Sequence, residues 1–193
     1  MFGKPGYFSQ LPTLTTQRLI LRRLKMSDAR DIFIYSSDPE VARYVQWRAY
    51  ESVLAVQAFL RYNQHQARLN QPCAWGMALK EDDRIFGTAG FTWVNDDNRS
   101  GEIGYSLARS RWGCGYATEA TEAILAYGFD TMRLHRIEAQ HDVRNPASGR
   151  VMEKCGMRCE GTLRGRLFNK GVYADMKVYA ILEDEWHAGR KRK

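Results

Sequence analysis

Apolar residues along this chain change their spacing near residue 73. Before that point helical spacing dominates. In "ESVLAVQAFLRYNQHQARLN" (Glu51–Asn70), Val53, Val56 and Leu60 recur at helical intervals and predict a long amphipathic helix. Upstream, "MSDARDIFIYSSD" reads as a helix opening on Ser27 as N-cap, and "SDPEVARYV" as a short helix with Pro39 in its first turn. The segment "TTQRLILRRL" (Thr15–Leu24) alternates weakly and reads as one strand. Beyond residue 73, "CAWGMALK", "RIFGTAGFTWV" and "SGEIGYSLA" predict three strands separated by the turn segments "EDD" and "NDDN". "YATEATEAILAYGFDTM" returns to the helical period, with Ala117, Ala120, Ile124 and Tyr127 on one face. "HRIEAQHDV" predicts a strand, and "NPASGRVMEKCG" a helix ended by Gly156 at C′. "MRCEGTLRGRLF" and "GVYADMKVYAIL" predict a closing hairpin around Asn169–Gly171. This order is that of an α/β fold.

With 193 residues and no repeat or linker-like segment, one domain is expected over 1–193, its core at about 14–182. Hydrophobic residues at 44% and charged residues at 26% are ordinary for a globular chain. No apolar run is long enough to cross a bilayer, and "MFGKPGYFSQLP" lacks the apolar centre of a signal peptide. A cytoplasmic location with no membrane partner is therefore expected. Cys73, Cys114, Cys155 and Cys159 lack zinc-site spacing and read as reduced thiols. His135 and His141 have no matching ligand cluster and read as structural or exposed, so no metal is expected. Much of the excess in the net charge of +7 sits in the basic tail 189–193, "GRKRK". Such a tail is commonly a solubility feature; a weak association with the ribosome or RNA is the sharper alternative.

Candidate chemistry centres on "SRWGCGYATEA" (Ser110–Ala120), where two glycines directly precede a helix. The backbone N–H groups of Gly113, Cys114, Gly115 and Tyr116 would be free at that helix start. Glycine admits an anion close to the backbone, and the helix dipole favours it. A plain turn is the simpler alternative. A Rossmann fingerprint fails at Thr118, where a third glycine would stand, and no Gly-Lys-Ser/Thr of a P-loop occurs.

On the strand before this loop, alternation puts Ile103, Tyr105 and Leu107 on one face and Glu102, Gly104 and Ser106 on the other. Glu102, beside small residues, is a candidate general base; a solvated glutamate or one tied to an arginine is the alternative. After the loop, "NPAS" has Asn145 at the N-cap, Pro146 at N1 and Ser148 at N3, which helix capping alone would explain.

The stretches "EIGYSLARSRWGCGYATEATEAILAYGF" and "HRIEAQHDVRNPASGRVMEKCGMRCEGTLR" together resemble the GNAT superfamily of acyl-CoA N-acyltransferases. The resemblance runs from about Leu14 to Ile181 and is greatest to the branch that acetylates ribosomal-protein N-termini. It implies a mixed, splayed central sheet of about seven strands flanked by about four helices. It implies acetyl-CoA as co-substrate, its pyrophosphate held by the backbones of Trp112, Gly113, Cys114, Gly115, Tyr116 and Ala117. The backbones of Tyr105, Ser106 and Leu107 would pair with the pantetheine arm, and one N–H there would serve the oxyanion. The resemblance also assigns Asn145 to coenzyme A and Ser148 to the sulfur, as acid for the thiolate. Many members use a tyrosine one turn further along; Val151 and Met152 occupy that neighbourhood here. Many members also carry Gln or Arg where Ser110 stands, so Arg109 or Arg111 would reach the phosphate.

Acetyl transfer to an amine needs a neutral nucleophile. An α-amine with pKa near ~8 needs a weaker base than lysine near ~10.4. A thiolate leaving group of intrinsic pKa ~8.5 benefits from a proton donor. Trp47, Arg48 and Tyr50 in "YVQWRAYES", and Asp175 in "NKGVYADMKVYA", fall where relatives build the acceptor walls. Core packing is the alternative for the first three, and loop ordering for Asp175. The expected activity is direct acetyl transfer to the N-terminal α-amine of a protein such as a ribosomal protein, by a monomer or homodimer. The alternatives are a small-amine acetyltransferase (amino acid, polyamine or antibiotic) and a non-catalytic acyl-CoA-binding or RNA-associated module.

Overall fold

The computed structural model describes residues 6–190. Eight strands form one sheet in the order β1-β2-β3-β4-β5-β6-β8-β7. They are β1 (Leu14–Thr15), β2 (Leu19–Arg23), β3 (Ala74–Leu79), β4 (Asp82–Asn95), β5 (Ser100–Leu107), β6 (Arg136–Asp142), β7 (Arg158–Asn169) and β8 (Val172–Leu182). The α-helices among the described residues are α1 (Ala29–Ser36), α2 (Pro39–Ala42), α3 (Val53–Arg68), α4 (Tyr116–Ala126), α5 (Pro146–Lys154) and α6 (Glu183–Arg190). The sheet thus has one strand more than the sequence pattern predicts, and the helix set one member more than the five read from the pattern and two more than the resemblance implies. The extra strand arises because Thr15–Leu24 is not continuous. A turn at Thr16–Arg18, closed by the Leu19 amide donating to Thr16 Oγ1 at 2.9 Å, divides it.

Other boundaries shift for local reasons. Ser27 caps nothing: Met26–Asp28 is a 3₁₀ turn, and the α-helix begins at Ala29. Ser52 caps α3 by accepting from the Ala55 amide, and Asp38 caps α2 by accepting from Glu40. The helix predicted over 116–132 is α-helical only to Ala126 and continues as a π-helical turn, Tyr127–Thr131. The basic tail begins inside α6, where Trp186 stacks on Phe129 at 5.8 Å; residues 191–193 lie outside the described residues. Lys170 (φ 52°) and Gly171 (φ 90°) make the two-residue turn between β7 and β8, both left-handed as a type I′ hairpin requires.

Two clusters of buried side chains sit on opposite faces. Leu24, Ile32, Val56 and Leu60 belong to the cluster under α1 and α3, while Ala120, Ile124, Ile137 and Met152 belong to the larger one under α4 and α5. Every strand pair is antiparallel except β5–β6. That parallel ladder holds only at Ser100–Arg136, Gly101–Ile137 and Glu102–Glu138. Both strands continue beyond it without pairing to each other, so the sheet forks after Glu102.

Candidate active site

The fork opens a cleft of about 670 Å³ lined by β4, β5, β6 and the starts of α4 and α5. On one side of β5, residues 104–107 remain paired to β4 through Gly90–Gly104, Ala89–Tyr105, Thr88–Ser106 and Gly87–Leu107. Their other side has lost β6, leaving a strand edge in the cleft able to bond an extended, amide-bearing ligand.

Glu102 lies at the last paired position before the fork. Its Oε1 accepts from Thr92 Oγ1 at 2.8 Å and its Oε2 from Gln140 Nε2 at 2.8 Å. Both partners are neutral, and among the described residues no ion pair engages this carboxylate. Ser106 shares the Glu102 face; its hydroxyl lies 3.4 Å from that of Thr88, beneath Tyr35 of α1.

The opposite face carries Tyr105. Its phenol donates to the Ser148 carbonyl at 2.9 Å and lies 3.0 Å from Ser148 Oγ. Burial pushes this phenol well above its ordinary pKa, so it stays protonated through neutral pH. A carboxylate and a hydroxyl pair thus line the cleft from opposite faces of one strand. Asn145 occupies the N-cap position of α5, yet its side chain makes no capping bond and lines the cleft.

At the other end of the cleft, Gly113 (φ 74°) and Gly115 (φ 83°) adopt the left-handed conformation that non-glycine residues resist. Gly115 is the N-cap of α4. Trp112, Gly113, Gly115, Tyr116 and Ala117 line the cleft, and the Trp112 indole donates to the Leu107 carbonyl at 3.0 Å. Arg111, Arg150 and Lys154 add three cationic side chains to that lining. Glycine backbone, a helix start and clustered cations fit a pyrophosphate, and the unpaired β5 edge fits the amide arm of coenzyme A.

The acetyltransferase (GNAT) domain family matches residues 18–158. The chain belongs to the GNAT acetyltransferase family. It is 32% identical over 176 residues to the uncharacterized N-acetyltransferase p20 of Bacillus licheniformis, covering 91% of this chain and 99% of that one. A ribosomal-protein-serine acetyltransferase of Escherichia coli is 32% identical over 108 residues, covering 56% of this chain and 60% of the relative. A spermidine N(1)-acetyltransferase of Vibrio cholerae is 26% identical, covering 88% and 95%. Among solved structures, a GNAT-family acetyltransferase from Bacillus anthracis has a TM-score of 0.80 at 29% identity, covering 90% of this chain and 99% of its own. The protein is accordingly an acyltransferase with the mixed α/β fold of its family.

Not every expected residue of this N-acetyltransferase reaches the cleft. Cys114 does not line it; its thiol is exposed and 3.5 Å from the Trp112 carbonyl. Trp47 lines it and stacks on Tyr50 at 5.6 Å; both rings pack against the α1–α3 cluster, Tyr50 does not reach the cleft, and Arg48 is exposed. Asp175 also lies outside the lining: its Oδ1 accepts from the Gly165 amide at 2.7 Å and orders the bulge in β7. The two candidate arginines differ in their partners. Arg109 pairs with Asp38 at 3.0 Å, while Arg111 lies over the Phe86 ring, 5.6 Å from its centroid, and contributes to the cleft lining.

Sequence reading missed Thr92 and Gln140, which become partners of Glu102 only once β4, β5 and β6 are neighbours. It also assigned Tyr105 only a backbone role. Among the described residues no group of three or more His, Cys, Asp or Glu side chains gathers around a metal site. No helix among them is long and apolar enough to cross a membrane.

The helix start that presents Ser148 depends on Gly149. A Cβ there would meet His141 Nε2 at 2.7 Å and Tyr179 Oη at 3.2 Å. His141 is 5% exposed, and its Nδ1 lies 2.7 Å from the Asp142 carbonyl, so the ring has little room to yield. Gly149→Ala is expected to destabilise the protein by about 1–3 kcal/mol, read as a lower denaturant midpoint. An unchanged midpoint would mean that the ring moves freely.

Proposed function

We propose that this chain transfers acetyl from acetyl-CoA directly to the N-terminal α-amine of a protein or peptide. The observation that carries the reading is Glu102: a carboxylate at the fork, held by two neutral donors, across β5 from the Tyr105–Ser148 pair. Acetyl-CoA supplies the activated acyl carbonyl. Glu102 takes the proton of the attacking amine, directly or through a water. Ser148 Oγ presents a proton toward the leaving sulfur. The phenol of Tyr105 positions that hydroxyl: when its single hydrogen turns to Ser148 Oγ, the serine hydrogen is released toward the cleft. Asn145, the glycine loop and the free edge of Tyr105–Leu107 hold the cofactor, with a backbone N–H of that edge serving the oxyanion.

An α-amine suits a carboxylate base because, with a pKa near ~8 against ~10.4 for lysine, it already supplies an appreciable neutral fraction near neutral pH. The acceptor wall includes Trp47, Leu167 and Met176, an apolar surface suited to the first side chain of a peptide. It is braced by Lys170 Nζ, which donates to the Val45 carbonyl at 2.6 Å, and by Asn169 Nδ2, which donates to the same oxygen at 3.0 Å. The net charge of +7 disfavours a polycationic acceptor. The similarity to a ribosomal-protein-serine acetyltransferase favours a protein acceptor. A small-amine acceptor is the second reading, favoured by the wider coverage of the spermidine N(1)-acetyltransferase match.

A thiol-release assay tests the choice. Peptides beginning with Ala or Ser are expected to be turned over, and their N-terminally blocked counterparts not. Faster turnover of spermidine than of every free peptide would overturn the peptide reading.

A further inference from the structure

The glycine loop is held from behind by the turn between β1 and β2, almost one hundred residues away in sequence. Glu119, in the first turn of α4, takes three hydrogen bonds and an ion-pair contact from that turn. Its Oε1 accepts from Thr16 Oγ1 at 2.6 Å and from the Arg18 amide at 2.7 Å. Its Oε2 accepts from Arg18 Nε at 2.7 Å and lies 2.7 Å from Arg18 Nη2 in an ion pair. The same guanidinium donates through Nη1 to the Cys114 carbonyl at 3.0 Å and lies over the Tyr116 ring, 4.5 Å from its centroid. The turn is itself anchored, because the Arg18 carbonyl accepts from the Lys80 amide at 3.1 Å, just beyond β3.

The loop needs such a hold. An added Cβ at Gly113 would meet nothing within 4 Å, so the loop has little packing of its own there, and both glycines carry a large backbone entropy. A trans peptide points its C=O and N–H in opposite directions. Fixing the Cys114 carbonyl on Arg18 therefore fixes the Gly115 N–H on the other side of the peptide. Gly115 lines the cleft, whereas neither Cys114, Arg18 nor Glu119 does. The arrangement also places a carboxylate near an anion site, which is tolerable only because Arg18 neutralises it.

We propose that Arg18 and Glu119 are positioning residues for the pyrophosphate of coenzyme A, acting through the Cys114 carbonyl without touching the cofactor; this rests on coenzyme A being the co-substrate. Direct phosphate binding by Arg18 is the competing arrangement, and the two differ in sign for Glu119. A direct cation would bind phosphate better once its carboxylate partner lost its charge. A clamp would bind it worse.

The test measures coenzyme A affinity by calorimetry, and turnover with acetyl-CoA and with acetyl-pantetheine, which lacks the pyrophosphate. Glu119→Gln is expected to weaken coenzyme A binding roughly ten- to a hundredfold, and to raise the acetyl-CoA KM alike. Saturated kcat, and kcat/KM for acetyl-pantetheine, are expected to stay within about twofold. Arg18→Ala is expected to do the same. Unchanged or tighter coenzyme A binding in Glu119→Gln would overturn the proposal. So would an equal loss with both thioesters, which marks general structural damage. If Glu119→Gln does not fold, Arg18→Lys keeps a positive charge beside Glu119 but loses the fork that also reaches the Cys114 carbonyl, and is expected to give a smaller rise confined to acetyl-CoA. A wild-type protein that binds no coenzyme A would instead overturn the functional reading itself.

Discussion

Glu102→Gln is expected to lower kcat/KM for a free α-amine peptide by about 10²- to 10⁴-fold near neutral pH, the usual worth of a positioned general base. The substitution is nearly isosteric. Its amide oxygen can still accept from Thr92, and the Gln140 amide can turn to meet the new NH₂ group, so the fold is expected to persist. Only the capacity to take a proton is lost. Because the α-amine supplies its own neutral form as pH rises toward ~8, the variant is expected to recover part of its rate across that range. Melting curves that overlay those of the wild type would attribute the loss to chemistry. Turnover within about threefold of wild type would remove Glu102 from the mechanism.

Ser148→Ala has the second-largest expected effect on turnover, a loss of roughly 10²-fold in kcat with the acetyl-CoA KM little changed. The reason is the closed geometry of the pair. Ser148 Oγ and its carbonyl both meet the Tyr105 phenol, so one tyrosine holds the serine side chain and the helix start together. Tyr105→Phe removes the positioning group but leaves the serine proton, so its loss is expected to be smaller and again in kcat. Burial raises the Tyr105 phenol, so both variants should keep the basic limb of the wild-type pH profile. A Ser148→Ala enzyme with full kcat would leave thiolate protonation to water.

The most periodic elements were legible before any coordinates. The helix from Val53, the β3–β5 meander and the β7–β8 hairpin each carry one dominant pattern over many residues. The glycine loop and "NPAS" were legible because they join two signals, conformational freedom and a helix start. Much of what remained hidden depends on pairing between distant segments. Nothing within β5 or β6 says that their ladder ends at Glu102, and Gln140 gains its partner only across that fork. The turn at Thr16–Arg18 has no Gly, Pro, Asn or Asp, and is closed in part by Glu119 of α4. Arg109 and Arg111 are indistinguishable in sequence, but one 3₁₀ turn sends the first to Asp38 and leaves the second at the cleft. Trp186, inside a segment rich in charge, ties α6 to Phe129 and converts part of a basic tail into helix.

The decisive measurement is the position of the acetyl group on a peptide that offers both amines. A synthetic peptide with a free N-terminal alanine and one internal lysine would be incubated with acetyl-CoA and the enzyme. Fragmentation mass spectrometry would then locate the modification. The expected result is acetyl on the α-amine alone, abolished in step with the kcat/KM loss of Glu102→Gln. Acetyl on the lysine side chain, or an untouched peptide beside acetylated spermidine in the same mixture, would contradict the proposed function.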